Sequence, residues 1–245
     1  KTAHPDWIFV PMKTGLDFNT VITEELKGGK SLVYKTFPDY AKNGAYDDGN
    51  WYYATREILE YYMDPRNSLT EDRCFQFELL TYNATYHTEA ALESFLNNTF
   101  MKSPAHAPGT TMTYAHIIWA IGAEEGREVS PFHLASRIYQ EQGQGNSPLI
   151  SGTYPGYEGY YNYFNVKASG KTTQEVIENG LAYAKQQNWY SAYYSILGGA
   201  DLISANYIKK GQDTLYLQKF NVNPAASNPL YTHQYMQNIS APDSH

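Results

Sequence analysis

At 245 residues, 42% hydrophobic and 18% charged, the chain is long enough to bury a full core as one large domain or as two lobes sharing a cleft. A net charge of -7 excludes the basic footprint of a protein that neutralises nucleic-acid phosphates, and no apolar run approaches the about 18 residues of a membrane span. The single cysteine, Cys74, excludes an internal disulfide, and its setting in CFQFELL reads as a buried small hydrophobe rather than a nucleophile.

Lys1 opens the chain without a Met, a charged n-region or an apolar h-region, which reads as a mature form or an excised module. Residues 1–48 hold short β-leaning pieces, WIFVPM and SLVYKTF, broken by Pro, Gly and Asn, and read as an N-terminal wrap or linker before a unit covering 49–245. Asp47, Asp48 and Gly49 read as a turn, because the spaced acidic ligands and closing Glu of a calcium loop are missing. From about residue 50 the pattern becomes helical. NWYYATREILEYYM is amphipathic and stops at Asp64 and Pro65. Thr70 is expected to cap a second helix through about residue 80, Thr88 a third through 98 and Thr113 a fourth through about 125. Ser130 and Pro131 start a fifth as N-cap and first helical residue, and Gly143 ends it.

Residues 143–171 change character. GQGNSPLISGTYPGYEGYYNYFNVKASGK lacks helical periodicity and reads as a long loop or small hairpin lobe, whose aromatic content argues against disorder. Thr172 and Glu175 form a capping-box pattern opening a helix to about 187, and a further helix over 191–208 is expected to bend at Gly198 and Gly199. The segment GQDTLYLQKFNV alternates enough to suggest a short strand or ribbon. The inventory is mainly α with a little β.

The chain has no GxSxG, HExxH, CxxC, Walker or GxGxxG pattern. None of the seven histidines pairs at i, i+4 as helical metal ligands do, so neither a metal nor a cofactor is expected. Tyrosine is the outlier, with 24 residues. An amphipathic ring suits a groove for sugar rings, although most of these tyrosines read as ordinary packing.

The chemistry that remains is a carboxylic acid beside an aromatic, amide-rich loop. In the octapeptide SRIYQEQG, residues 136–143, Glu141 follows Leu134 and Ile138 at i, i+4, i+7, so it is expected to point where those apolar residues point. A carboxyl held against a core is desolvated, and desolvation favours the protonated form that a general acid needs. The competing reading is a frayed helix end with Glu141 in solvent. Glycoside hydrolysis requires such an acid together with a base, a nucleophile or the substrate's own acetamido group. Glu158 is the nearest acidic candidate for the second role and reads equally as a solvated loop charge. Asp201 and Asp213 are weaker candidates.

SRIYQEQG, YYNYFNVKASG, ILGGADLI, GQDTLYLQKFN and YTHQYMQNISAP, in this order, together with the upstream YYMDPRNSL, resemble the glucosaminidase catalytic modules of bacterial cell-wall autolysins, glycoside hydrolase family 73. The resemblance spans roughly residues 45–242. It implies a lysozyme-like, mainly helical (α+β) fold with a small β-hairpin or loop lobe beside a substrate groove. It also implies endo-type cleavage of β-1,4 bonds after N-acetylglucosamine in peptidoglycan, with Glu141 as the acid, in a secreted, wall-associated, monomeric module with wall-binding segments elsewhere in the full protein. Gln140, Asn162, Tyr163, Phe164 and Asn165 are implied to line the sugar cleft. The second catalytic group stays open between Glu158, Tyr161 and the substrate acetamide. Gln212, Gln218, His233, Gln234 and Asn238 are candidates to bond sugar hydroxyls, and Tyr216 and Tyr235 to stack on pyranose faces. Leu215, Leu217, Phe220 and Met236 read as a clamp. Cleavage on the muramic side, by a muramidase or lytic transglycosylase, and a non-catalytic glycan-binding module are the alternatives.

Overall fold

The computed structural model describes Thr2 and residues 4–244, so Lys1, Ala3 and His245 lie outside the described residues. The elements in chain order are α1 (Phe18–Glu25), β1 (Leu32–Tyr34), β2 (Lys42–Ala45), β3 (Trp51–Ala54), α2 (Arg56–Met63), α3 (Glu89–Leu96), α4 (Tyr114–Ala123), α5 (Pro131–Gln142), α6 (Thr173–Gln186), α7 (Ala192–Asn206), α8 (Leu215–Phe220) and α9 (Ala241–Ser244). They pack as two units, one formed by residues 1–78 and 214–245 and the other by residues 79–213, and neither begins near residue 48. None of the helices is long and apolar enough to cross a membrane among the described residues.

The first unit carries an antiparallel sheet of order β1-β3-β2, with Val33 opposite Tyr52 and a register shift between Lys42 and Ala45 in β2. Its core joins both ends of the chain: Val21, Ile22, Val33, Leu59 and Met63 pack with Leu217, Phe220 and Ile239. Of the residues expected to be a wrap, Val21, Ile22 and Val33 are core-forming, whereas Ile8, Val10 and Met12 of WIFVPM stay exposed. Residues 237–239 dock on β1 through Leu32 N–H to the Gln237 carbonyl (2.8 Å) and Ile239 N–H to the Leu32 carbonyl (2.9 Å). Inside this unit Lys219 and Glu25, both fully buried, form an ion pair at 3.2 Å. Ser31 Oγ donates to Glu25 (2.7 Å) and accepts from Lys219 (2.9 Å), and Gln234 Nε2 donates to Glu25 (2.6 Å).

The sheet lies in residues 32–54, whereas residues 143–171 form turns and one 3-10 turn without a strand. Within the ribbon expected over 211–222 the chain forms helix α8, capped by Thr214 Oγ1 accepting from Leu217 N–H (3.0 Å) and closed by Asn221 in the left-handed region at φ 42°. All six of its residues are buried, and a helix buried on every face leaves no 3.6-residue stripe to read. The helix expected from Thr70 is reduced to a 3-10 turn over Cys74–Phe77. There Phe75 stays exposed while Gln76 turns inward to Asp243, and Cys74 is only half-buried. The turn at Asp47 is as expected, its Oδ1 accepting from the N–H groups of Gly49, Asn50 and Trp51 at 2.8 to 3.2 Å.

In the second unit α4, α5 and α7 bury Ile117, Ile118, Ile121, Leu134, Ile138, Ile196 and Ala200. Helix α7 runs unbroken through Gly198 and Gly199, which serve close approach rather than a bend. A Cβ on Gly199 would lie 2.5 Å from Cε2 and 2.8 Å from Cγ of Phe164, and one on Gly198 2.5 Å from Cε2 of Trp189.

Candidate active site around Glu141

Helix α5 forms as its sequence dictates. Ser130 Oγ accepts from His133 N–H, Pro131 occupies the first turn and Gly143, at φ 55°, ends it. Leu134 and Ile138 are fully buried on the core face, Gln142 on the same face is 4% exposed, and Glu141 beside it is partly buried. The 3.6-residue period explains this gradation, because from Ile138 the i+4 position returns to the face more squarely than i+3.

The carboxyl of Glu141 is gripped from the loop that follows. Asn165 Nδ2 donates to Glu141 Oε2 at 2.7 Å and also reaches the Glu141 main-chain carbonyl at 3.2 Å, a helix-end oxygen without an intrahelical donor. Asn165 sits in the left-handed region at φ 50°, which asparagine tolerates better than most residues. Its Oδ1 accepts from Gln142 Nε2 at 2.8 Å, and the same nitrogen stands 3.2 Å and 3.0 Å from the carbonyls of Asn162 and Tyr163.

The remaining loop residues build this arm rather than face a ligand. Asn162, fully buried, donates from Nδ2 to the carbonyls of Val166 and Gly180, both at 2.9 Å, and accepts at Oδ1 from Val166 N–H at 3.0 Å. Its hydrogen-bonding capacity is spent on the fold, which corrects its expected sugar contact. Tyr163 is fully buried, its hydroxyl 2.8 Å from that of Tyr114, and burial pushes that phenol far above its ordinary range. Phe164 packs on Gly199. Neither ring offers a face to a sugar, because the loop carries its own small core into the unit.

Of the second catalytic candidates, Glu158 is exposed and both its oxygens accept from Gly156 N–H at 3.1 Å. Main-chain N–H donors, its own and that of Gly156, hold its carboxyl below the usual carboxylate range. It is therefore ionised, fit for a base and not for an acid. The Tyr161 ring is buried against Gly152, with its N–H bonded to the Trp189 carbonyl at 3.0 Å. No hydrogen bond among the described residues joins either of them to Glu141. Gln140 is exposed, and Gln212 is fully buried.

Tyr216, His233 and Tyr235 fall in the other unit. Tyr216 is buried and donates its hydroxyl to the Met63 carbonyl at 2.6 Å, so it is core and not a stacking platform. Leu215, Leu217, Phe220 and Met236 are buried as a clamp should be. Gln218 is 1% exposed and Gln234 is bound to Glu25, which sets both in the fold, whereas Asn238 is partly buried with its Oδ1 accepting from Ser240. His233 is exposed at φ 54°, and Tyr235 is partly buried with its N–H on the Gln218 carbonyl. No group of three or more metal-ligating side chains occurs among the described residues. Gln142 was not singled out from the sequence, though a buried amide at i+8 from Leu134 on an apolar face is the signal that marks it.

The fold is the mainly helical, lysozyme-like fold of glucosaminidases, and the site presents a partly buried carboxyl held by Asn165. The structure is similar to a solved major bifunctional autolysin, with a TM-score of 0.62 at 24% identity, covering 94% of this chain and 85% of that one. It is also similar to S. aureus glucosaminidase B, with a TM-score of 0.62 at 22% identity over 92% of this chain and 80% of that one. A third neighbour is a catalytic mutant of S. aureus autolysin E in complex with the disaccharide NAG-NAM, with a TM-score of 0.58 at 21% identity over 93% and 86%. In sequence the chain is 36% identical to the bifunctional autolysin of Staphylococcus epidermidis over 121 residues, 46% of this chain and 8% of that protein. It is 26% identical to the β-N-acetylglucosaminidase of Bacillus subtilis over 223 residues, 89% of this chain and 22% of that protein. The chain thus spans well under a third of either relative. No protein-family model matches it. By sequence and by fold, the chain is a relative of autolysins and glucosaminidases, as its motifs suggested.

Proposed function

We propose that this chain is an endo-β-N-acetylglucosaminidase that hydrolyses the β-1,4 bond after N-acetylglucosamine in bacterial peptidoglycan, with Glu141 as general acid. The observation that carries the reading is the Glu141 carboxyl, partly buried at the end of α5 and fixed by Asn165. Glu141 gives its proton to the glycosidic oxygen as the bond to the anomeric carbon breaks. The electron pair of that bond leaves with the oxygen, and Glu141 becomes a carboxylate.

The 2-acetamido oxygen of the substrate forms a bond to the anomeric carbon as the glycosidic bond breaks. Water then adds to that carbon, passing its proton to the Glu141 carboxylate and restoring both the acid and the acetamide, so no further protein carboxylate is needed. Glu158 is tied into its own turn and Tyr161 is packed against Gly152, whereas the 2-acetamido oxygen of the substrate is by construction next to the anomeric carbon. Substrate-assisted catalysis is therefore the mechanism favoured here. The module acts outside the cell, as a monomer bound to the wall through other segments of a longer protein. Its net charge of -7 gives it no long-range attraction to an anionic polymer, a field that salt screens beyond about 10 Å.

Mass spectrometry of peptidoglycan digested by this chain and reduced with borohydride tests the choice of bond. Reduced glucosamine ends are expected. Reduced muramic ends or anhydro-muramic ends would overturn the glucosaminidase reading in favour of a muramidase or a lytic transglycosylase.

A further inference from the structure

We propose that Gln142 is a positioning residue acting through Asn165: it fixes which end of the Asn165 amide faces Glu141, and so which carboxyl oxygen carries the proton to be transferred. This rests on the hydrolase reading given above.

The two ends of an asparagine amide are nearly equal in size, so shape does not decide whether nitrogen or oxygen meets a neighbour; hydrogen bonding does. Here Gln142 sets one side, and the main-chain carbonyl of Glu141, which can only accept, sets the other. Gln142 Nε2 meets three acceptors, the carbonyls of Asn162 and Tyr163 and the Oδ1 of Asn165. The carbonyls of Asn162 and Tyr163 can only accept, and these two require the amino end of Gln142 at this place. Asn165 Oδ1 must then turn toward Gln142 and Nδ2 toward Glu141. The other end of Gln142, Oε1, is buried without a hydrogen-bond partner among the described residues. Burial of an unpaired carbonyl opposes folding, so the amide is explained by what its nitrogen holds.

The consequence for Glu141 is chemical. The Asn165 amino group reaches both Oε2 and the main-chain oxygen of the same glutamate, which ties the side chain to its own backbone and restricts its rotation. With Oε2 accepting an N–H, the proton of the neutral acid resides on Oε1. When Oε1 gives that proton to the glycosidic oxygen, the N–H to Oε2 bond gains strength from the charge left on the carboxylate. An Asn165 amide turned the other way presents Oδ1, which accepts a proton from Oε2 and holds it away from the substrate. Gln142 excludes that arrangement without touching substrate.

A double-mutant cycle tests this, with kcat and KM measured on uncrosslinked peptidoglycan glycan strands and folding checked by circular dichroism. The variants are Gln142→Met, which keeps the length and removes the donor, Asn165→Gly, which keeps the left-handed backbone and removes the amide, and both together. Gln142→Ala, which removes the donor and leaves room for water to meet the carbonyls, replaces Gln142→Met if the latter does not fold. Gln142→Met is expected to lower kcat by about tenfold to a hundredfold, the scale of a misplaced catalytic group, with KM within twofold of wild type (~2-fold). In the Asn165→Gly background the same change is expected to lower kcat no further. A folded Gln142 variant with wild-type kcat, or one whose effect multiplies with that of Asn165→Gly, would overturn the proposal while leaving the hydrolase reading standing. A wild-type protein that releases no reducing ends would overturn that reading and this one together.

Discussion

Replacing Gly199 by alanine should damage the site through packing alone, at a position in the middle of α7. The new Cβ would stand 2.5 Å from Phe164 Cε2 and 2.8 Å from Cγ, where ordinary carbon contacts need about 3.5 Å. The ring must therefore retreat by at least about 1 Å. Asn165 is the next residue, and its 2.7 Å bond to Glu141 becomes about 3.7 Å if that displacement is passed on in full (2.7 plus about 1), outside hydrogen-bond range. Overpacking of this kind costs about 1–3 kcal/mol of stability, and a 1 Å displacement at a catalytic group costs about a hundredfold in rate. Urea denaturation followed by tyrosine and tryptophan fluorescence reads the first, and kcat on glycan strands reads the second. Gly198→Ala is the control: its Cβ meets Trp189, so stability should fall with a smaller loss of kcat. Wild-type stability and kcat in Gly199→Ala would refute the claim that α7 holds the Asn165 loop in place.

In the first unit, Lys219→Met should cost about 3–5 kcal/mol, because it strands the buried Glu25 carboxylate. The pair Glu25→Leu with Lys219→Met should recover most of that loss, as apolar replacements of buried ion pairs often do. A single variant as stable as wild type in urea would contradict the buried pair seen at 3.2 Å. Burial lowers the pKa of His87, and its Nδ1 accepts from Asn83 N–H at 3.0 Å, which requires an unprotonated nitrogen. The unfolded chain then takes up this proton first, near pH 6.5. The stability tied to the neutral ring is fully present above about that pH and is lost as pH falls below it. His87→Phe should flatten the fall of the urea midpoint between about pH 7 and 5.5, and equal slopes in the two proteins would disprove the assignment. Glu158→Gln should keep kcat within about threefold of wild type, measured on glycan strands, since its carboxylate serves the Gly156 turn. A loss of about a hundredfold or more would make it the second catalytic group after all.

Much of the second unit can be read from local chemistry. The Ser130 and Thr113 caps are present, and the Thr172 and Glu175 capping box is reciprocal, because a cap is a short-range device whose partners lie within three residues. Helix α8 is hidden because burial on all faces erases periodicity. Residues 162–164 misled for a related reason. Polar and aromatic side chains in a segment without regular structure look like ligand contacts, yet a loop that is buried must satisfy its own backbone, and Asn162 does so from inside. The Lys219–Glu25 pair joins residues far apart in sequence, and no local pattern announces it. Glu141 stood out because a carboxylate interrupts an apolar face. Gln142 interrupts the same face more squarely, but a neutral amide carries no charge to draw attention.

The decisive measurement is the rate of reducing-end release from peptidoglycan glycan strands by Glu141→Gln set against wild type, with the thermal melts of both proteins compared. Glutamine keeps the size of the side chain and its acceptor toward Asn165 but has no acidic proton to give. The expected result is a folded variant whose kcat has fallen by about 100-fold to 10,000-fold. A well-folded Glu141→Gln protein that cleaves at the wild-type rate would contradict the assignment of Glu141 as the acid, and a wild-type protein that binds glycan without cleaving it would make the chain a binding module.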